Sequence, residues 1–213
     1  MNMNIIRRPF RYRYTNVVFI LIGINLLVHL AVFSLRTIPL IGIFAMNPIL
    51  VLHHGWVWQF VTYMFIHDPR SLTHLVFNML ALFIFGRQVE QQMGSREFLL
   101  YYLLTGALAG FFSFLVYITT GEMFVRLMGA SGAVFAIQLA FASFFPRSVI
   151  YIWGILPLRA PVMVLGFTGL GLFFMVTGGG GNVAHVTHLA GFGFGWLYFV
   201  VRFRINPWRA MRQ

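Results

Sequence analysis

Long runs of apolar residues separated by short polar stretches are the main pattern of this chain. Six runs can be recognised, at about 16–35, 70–90, 97–119, 130–146, 159–177 and 183–203. A helix needs about 20 residues to cross the hydrocarbon core of a membrane, which is about 30 Å thick. The runs are close to that length, so the pattern predicts an all-α membrane protein, a bundle of six transmembrane helices.

The composition supports this prediction. Of 213 residues, 60% are hydrophobic and 9% are charged, whereas soluble domains carry about 25% charged residues. Six spans use roughly 120 residues, which leaves short loops and no room for a separate soluble domain. We expect a basic cytoplasmic segment at 1–15, the six-helix domain at 16–203 and a basic cytoplasmic tail at 204–213.

The net charge of +11 comes from arginine, since the sequence contains no lysine. Such a charge can indicate a nucleic-acid partner, but here the arginines follow the ends of the apolar runs. If the N-terminus is inside, twelve arginines are cytoplasmic and only Arg36, Arg70 and Arg126 are outside. Basic residues concentrate in cytoplasmic loops, so we expect both termini inside, the lipid bilayer as the surroundings and no nucleic-acid partner.

Four polar residues fall near the outer ends of three predicted helices. His74 and Asn78 are in the second, Ser131 begins the fourth, and His188 is early in the sixth. In the predicted orientation these helices all begin at the outer face, so at 1.5 Å per residue the four residues lie within roughly 10 Å of the surface. Their shared depth predicts a functional site.

Ser131 and His188 suggest nucleophilic catalysis. A serine hydroxyl is a weak nucleophile until a base removes its proton, and His188 is the candidate base. The chain has no cysteine, which excludes a thiol nucleophile. No carboxylate is available as the third member of a triad, because the acids all lie in loops or near span ends, so a hydrolase here would use a dyad. These acids are Asp68, Glu90, Glu97 and Glu122. The alternative is that Ser131 eases helix packing and His188 binds a backbone carbonyl.

Glycines flank both candidates. Gly129 and Gly132 leave the backbone beside the serine free to turn sharply and to approach other groups closely. Gly191 and Gly195 form a small-residue face on the sixth helix that would admit the fourth helix. Phe135, one turn beyond the serine, either lies against the imidazole or is an ordinary core aromatic.

His74 and Asn78 are four residues apart and share one helix face. Both can donate hydrogen bonds, which the oxyanion of an attacked carbonyl requires; alternatively, they bind a neighbouring helix. His185 and His188 are three apart and, with His67 and His74, raise the alternative of a zinc site. No HExxH motif is present and no acid accompanies these histidines, so we expect no metal and no cofactor.

Four stretches resemble the rhomboid family of intramembrane serine proteases and occur in the family's order. They are His67 to Asn78 (HDPRSLTHLVFN), Gly86 to Gly94 (GRQVEQQMG), Gly129 to Ala136 (GASGAVFA) and His185 to Gly195 (HVTHLAGFGFG). The resemblance covers about residues 16–203. It implies that Ser131 is the nucleophile and His188 the general base, with His74 and Asn78 near the oxyanion, in a six-helix form typical of bacteria.

The chain also departs from the family pattern. Phe135 stands where some members have a tyrosine beneath the imidazole, so stacking should persist without the hydroxyl. Gln59 follows Trp58 where many members have arginine, which puts in doubt any role that rests on that arginine. The resemblance further implies that the fifth helix and the following loop, which contains the glycines at 178–181, move to admit substrate.

Together, these features predict an intramembrane serine endopeptidase that cuts transmembrane segments of other membrane proteins near the outer face, in a bacterial plasma membrane. A substrate helix satisfies its own backbone hydrogen bonds, so it must unwind before it is cut. One alternative is a catalytically inactive rhomboid-like protein that binds membrane clients. Another is a transporter or channel, for which the sequence offers neither repeated halves nor an acid in mid-membrane.

Overall fold

The structure, a computed structural model, describes residues 10–35, 37, 39–70, 72–152, 154–177 and 182–213. Arg7, Arg8 and Arg36, which contribute to the predicted orientation, lie outside the described residues, as do the glycines at 178–181. The predicted N-terminal segment is described only from residue 10 onward.

A helix occupies each of the six apolar runs, and shorter helices lie between and after them. In chain order they are α1 Val17–Ser34, α2 Leu40–Phe44, α3 Pro48–His54, α4 Gln59–Thr62, α5 Leu72–Met93, α6 Ser95–Thr120, α7 Ser131–Phe144, α8 Ala160–Thr177, α9 Asn182–Tyr198 and α10 Pro207–Ala210. α5 contains a π-helical turn, Leu82–Gly86, and α9 continues into another, Phe199–Phe203.

Three of these helices are long and apolar enough, by length and composition alone, to cross a membrane: α1, α5 and α6. α7 has 14 residues and is a shorter apolar helix, as is the Ala160–Leu170 part of α8. At 1.5 Å per residue α7 rises about 21 Å, less than the hydrocarbon thickness. The protein is therefore an integral membrane protein with a mostly helical fold, while six complete spans remain a prediction.

The sequence prediction did not include the two short strands that join α7 to α8. β1 (Val149–Ile152) and β2 (Leu156–Arg159) form an antiparallel hairpin in which Val149 pairs with Arg159. Aromatic and β-branched residues favour β1, and Gly154 adopts a positive φ of 72° in the turn. The all-α description is therefore correct for the bundle but not for this connection.

α7 lies at the centre of the bundle. Its residues from Gly132 to Ser143 are all buried except Phe135, which is partly buried. The surrounding helices α6 and α9 approach it through small residues. This central position places the first residue of α7 inside the protein.

Two buried carboxylates hold the helices at the end of the bundle opposite Ser131. The Glu90 carboxylate accepts hydrogen bonds from the backbone N–H groups of Val17 at 2.7 Å and Val18 at 3.1 Å, where α1 begins, and from the Ser95 hydroxyl. It therefore caps a helix whose own N-cap residue provides no side-chain bond.

Glu97 performs a similar role between α6 and the end of α9. It accepts hydrogen bonds from the Tyr198 hydroxyl and from both Nε and Nη2 of Arg202, at 3.1 and 3.2 Å. Glu97 is buried. The sequence prediction that these acids lie near helix ends is confirmed, and the structure adds that both are buried there.

Candidate active site

Ser131 is the first residue of α7. The preceding loop reaches it through Gly129, whose φ is 109°, a conformation that glycine adopts without strain. A Cβ on Gly129 would lie 2.6 Å from the ring of His74. Glycine is therefore required here both for the turn and for the close approach of the imidazole.

The Oγ atom of Ser131 lies 2.9 Å from Nε2 of His188, on α9. For the serine to donate this hydrogen bond, Nε2 must be unprotonated and the ring proton must be on Nδ1. This distance is within the range at which a histidine base can take a hydroxyl proton. The structure thus brings together the two residues that the sequence indicated as a nucleophile and a base.

Contact between the backbones of α7 and α9 makes this distance possible. A Cβ on Gly191 would overlap the carbonyl oxygen of Gly132, and one on Gly195 would lie 2.7 Å from the Tyr101 hydroxyl and 3.0 Å from Cβ of Ala136. The predicted small-residue face is therefore the face on which the two helices meet.

Phe135 stacks on the imidazole of His188. The two ring centroids are 4.3 Å apart and the planes are inclined by 9°. The rings of Phe192 and Phe135 make an edge-to-face contact with centroids 5.0 Å apart, and the ring of His185 is perpendicular to that of His188 with centroids 6.3 Å apart. These contacts fix the plane of the imidazole by packing, since none of them includes a carboxylate.

His74 and Asn78 lie on α5, which passes the loop before α7. His74 contacts Gly129, two residues before the serine, while Nδ2 of the buried Asn78 donates to the His74 carbonyl at 2.8 Å. One N–H of the Asn78 amide is therefore engaged in its own helix. His74 is the side chain nearest to the Cβ position of Gly129, in the backbone that precedes Ser131.

His67 was not predicted as part of a catalytic site. It is buried, its ring centroid is 5.2 Å from that of His74, and its Nε2 accepts a long hydrogen bond of 3.5 Å from the N–H of Ala130. Burial, together with the nearby His74 and His29, lowers the pKa of His67 to about 3. The ring is therefore neutral at pH 7 and able to accept. The sequence signal was its place at the start of the stretch that ends with Asn78.

Gln59 is another buried residue whose contacts the sequence did not indicate. Its Nε2 donates to the carbonyls of Gly42 and Ile43, both at 3.1 Å, and its Oε1 accepts from the N–H of Asn47 at 3.0 Å. Gln59 therefore ties the loop that contains α2 and α3 to α4.

A cavity of about 120 Å³ lies beside the imidazole, between α7, α8 and α9. His188 and His185 provide its polar surface. The rest of its wall is aromatic and aliphatic and consists of Phe135, Phe167, Leu170, Leu189 and Phe192. Among the described residues, no three His, Cys, Asp or Glu side chains are grouped so as to hold a metal ion.

The fold and this site define a helical integral membrane protein in which a serine and a histidine from different helices meet by a hydrogen bond. Residues 54–205 match the rhomboid domain. This match covers most of the chain, and the protein belongs to the rhomboid family. The family predicted from the sequence stretches is confirmed.

Known relatives come from bacteria and from organelles. The chain is 33% identical over 136 residues to RHOMBOID-like protein 12, mitochondrial, of Arabidopsis thaliana. It is 29% identical over 161 residues to rhomboid protease GluP of Bacillus subtilis and 32% identical over 81 residues to rhomboid protease GlpG of Haemophilus influenzae. These matches cover 57%, 74% and 38% of the chain, which spans 40%, 28% and 38% of the three relatives.

Proposed function

We propose that this protein is an intramembrane serine endopeptidase that uses Ser131 and His188 as a catalytic dyad. The observation that carries the proposal is the 2.9 Å separation of Ser131 Oγ and His188 Nε2 within a buried helical bundle. Membership of the rhomboid family supports it, as does the name protease given to the bacterial relatives.

In the first half of the reaction, Ser131 Oγ attacks the carbonyl carbon of the scissile peptide. Its proton passes to Nε2 of His188, which then donates it to the leaving amine nitrogen as the C–N bond breaks. The product is an ester between the serine and the new carboxyl end of the substrate. The stacked Phe135 keeps the imidazole in the plane that both transfers require.

The attacked carbonyl develops a negative charge that needs hydrogen-bond donors. The N–H groups at the start of α7 and the side chains of His74 and Asn78 are the donors we assign to it, since the Asn78 amide has a second N–H. The positive end of the α7 dipole adds to this stabilisation. Each such donor is worth about 2.7–4 kcal/mol in the transition state.

In the second half, water attacks the ester carbon and gives its proton to His188 Nε2. The C–Oγ bond then breaks and the proton returns to the serine oxygen, which restores the starting state. A dyad without a carboxylate needs its imidazole held by packing. The rings of Phe135 and Phe192 supply that packing.

The setting of the reaction is part of the proposal. We infer that the helices of all six apolar runs cross the bilayer with both termini in the cytoplasm, and that the site opens near the outer face of a bacterial plasma membrane. Its substrates are transmembrane segments of other proteins, cut where small or helix-breaking residues let the helix unwind. Residues 16–203 form the catalytic domain in this proposal, flanked by basic cytoplasmic segments.

The test is cleavage of a helical membrane substrate by the purified protein in liposomes. Replacement of either dyad residue, Ser131→Ala or His188→Ala, should reduce the rate at least about 10³-fold. The control is Ser143→Ala, which removes a buried serine at the other end of the same helix whose Oγ donates to Leu139 at 2.8 Å. That variant should keep wild-type activity.

Labelling with a serine-directed fluorophosphonate gives a second readout. Wild type should react at one site, and Ser131→Ala should not react. A folded wild-type protein that neither cleaves the substrate nor reacts with the probe would instead favour the inactive, client-binding alternative.

A further inference from the structure

Three hydroxyl groups meet between α6 and α9, directly beside the residue that carries the imidazole. They belong to Ser113 and Tyr117 of α6 and to Thr187 of α9, and all three side chains are buried. Ser113 Oγ lies 2.7 Å from Thr187 Oγ1, and the Tyr117 hydroxyl lies beside these two groups. Thr187 is the residue before His188.

The hydrogen bond between Ser113 and Thr187 joins two different helices, and either hydroxyl can be its donor. Ser113 Oγ also lies 2.8 Å from the carbonyl of Ala109 in its own helix, which ties the Ser113 side chain to α6. A directional bond of this kind joins α6 and α9 at one specific rotation of α9.

The methyl group of Thr187 makes a second contact, with α7. It lies 3.1 Å from the position that a Cβ on Gly132 would take, and Cβ of Ala109 lies at the same distance from that position. Gly132 follows the proposed nucleophile. Because a β-branched side chain has few χ1 rotamers, Thr187 can satisfy both contacts only if α9 keeps its orientation.

We propose that Thr187 is a positioning residue, which through Ser113 and Tyr117 fixes the rotation of α9 and thereby directs Nε2 of His188 at Oγ of Ser131. This inference rests on the proposed function. Side chains reach about 5–6 Å from a helix axis, so a rotation of about 10° would displace the imidazole by about 1 Å. A misplacement of that size can reduce a rate about 10²-fold.

The other contacts close to His188 do not fix this rotation as strictly. Gly191 and Gly132 touch through their backbones, and Phe135 contacts the face of the imidazole without a directional bond. The hydrogen bond from Tyr198 to Glu97 is directional and also joins α9 to α6, but Tyr198 lies ten residues beyond His188, about 15 Å along the helix. Because a hydrogen bond weakens steeply as its angle departs from linearity, the cluster of hydroxyls is the directional contact that sets the rotation of α9 next to the histidine.

The experiment replaces Thr187 with valine, which keeps the shape and removes the hydroxyl, and with serine, which keeps the hydroxyl. The matched control is Thr105→Val, because Thr105 is equally buried on α6 and donates only within its own helix, to Tyr101 at 2.7 Å. We expect kcat of Thr187→Val to fall about 10- to 100-fold with KM nearly unchanged. Thr187→Ser should regain most of the loss, and Thr105→Val should resemble wild type.

Ser113→Ala removes the other side of the same bond. It should reproduce the loss of kcat, and its combination with Thr187→Val should cost no more than either change alone, because residues joined by one hydrogen bond are not additive. This variant also tests the inference if Thr187→Val fails to fold.

The results separate the inference from the proposed function. Equal kcat values for Thr187→Val and Thr105→Val would overturn the positioning role, and so would additive losses in the double variant. In either case the proposed function would still hold, provided that cleavage depends on Ser131. Wild-type cleavage that persists in Ser131→Ala would overturn the proposed function itself.

Discussion

The backbone of Gly191 lies against the carbonyl oxygen of Gly132, with no space for a side chain between them. This contact joins the helix that carries the histidine to the residue next to the serine. The distance between Ser131 and His188 therefore depends on the lack of a side chain at Gly191, which lies about one turn beyond His188 on α9.

Replacing Gly191 with alanine should force α7 and α9 apart. The added methyl group would meet backbone atoms, which cannot move as a flexible side chain can, so we expect a loss of about 1–3 kcal/mol in unfolding free energy and a large loss of cleavage. Thermal unfolding in detergent and the cleavage rate measure the two effects. Gly193→Ala is the matched control, since nothing lies within 4 Å of its added Cβ. Equal behaviour of the two variants would contradict the prediction.

Replacing Glu90 with glutamine should destabilise the protein without affecting the chemistry at Ser131. Val17 and Val18 donate to different oxygens of the carboxylate, and the amide replaces one of these oxygens with an NH2 group that cannot accept. One N–H at the start of α1 would then face a donor, so the unfolding free energy should fall by about 1–3 kcal/mol. Thermal unfolding monitored by circular dichroism measures the change. The control is Glu122→Gln, in the loop after α6. A comparable loss of stability in that variant would mean that the effect comes from removing a negative charge and not from the bonds of Glu90 to α1.

Replacing Gln59 with alanine should release the loop that contains α2 and α3. The carbonyl of Gly42 and the N–H of Asn47 would lose the bonds that Gln59 makes to them, while the carbonyl of Ile43 would keep its bond from Trp58 Nε1 at 3.0 Å. Hydrogen exchange at Asn47 should accelerate because its N–H becomes free to open. Gln88→Ala removes an exposed amide that bonds only within its own helix and should leave this exchange unchanged. If the N–H of Asn47 is as well protected from exchange in Gln59→Ala as in wild type, other contacts hold the loop and the prediction is wrong.

Replacing His67 with glutamine should flatten the dependence of stability on pH. Burial lowers the pKa of His67 to about 3, below the value of about 6.5 expected in the unfolded chain. Between these values the unfolded state binds more protons, so this contribution to stability is complete above about pH 6.5 and is lost as the pH falls towards 3. Glutamine does not titrate and its oxygen can accept from Ala130.

The unfolding free energy of both proteins, measured from pH 7 to pH 4 in one detergent, tests this prediction. Wild type should lose more stability than His67→Gln over that interval. Parallel curves would mean that the burial of this imidazole does not couple folding to protonation.

Sequence reasoning reached the positions of the long helices because a bilayer demands apolar runs of a given length. The ends of α1, α6 and α9 agree with the runs to within a few residues. It also reached Ser131 and His188, because few other residue pairs suit hydrolysis at the same membrane depth. The hairpin of β1 and β2 was missed, since four-residue strands carry too little pattern to distinguish them from a loop.

By itself, the sequence determined the class of protein, the family and the residue types available for chemistry, because hydrophobicity and local motifs are properties of neighbouring positions. Only the tertiary structure decided which groups meet: Glu90 with the start of α1, Gln59 with the carbonyls of a distant loop, and Thr187 with Ser113. Such contacts depend on the rotation and spacing of packed helices. Those quantities arise from many side chains together, and no single stretch of sequence contains them.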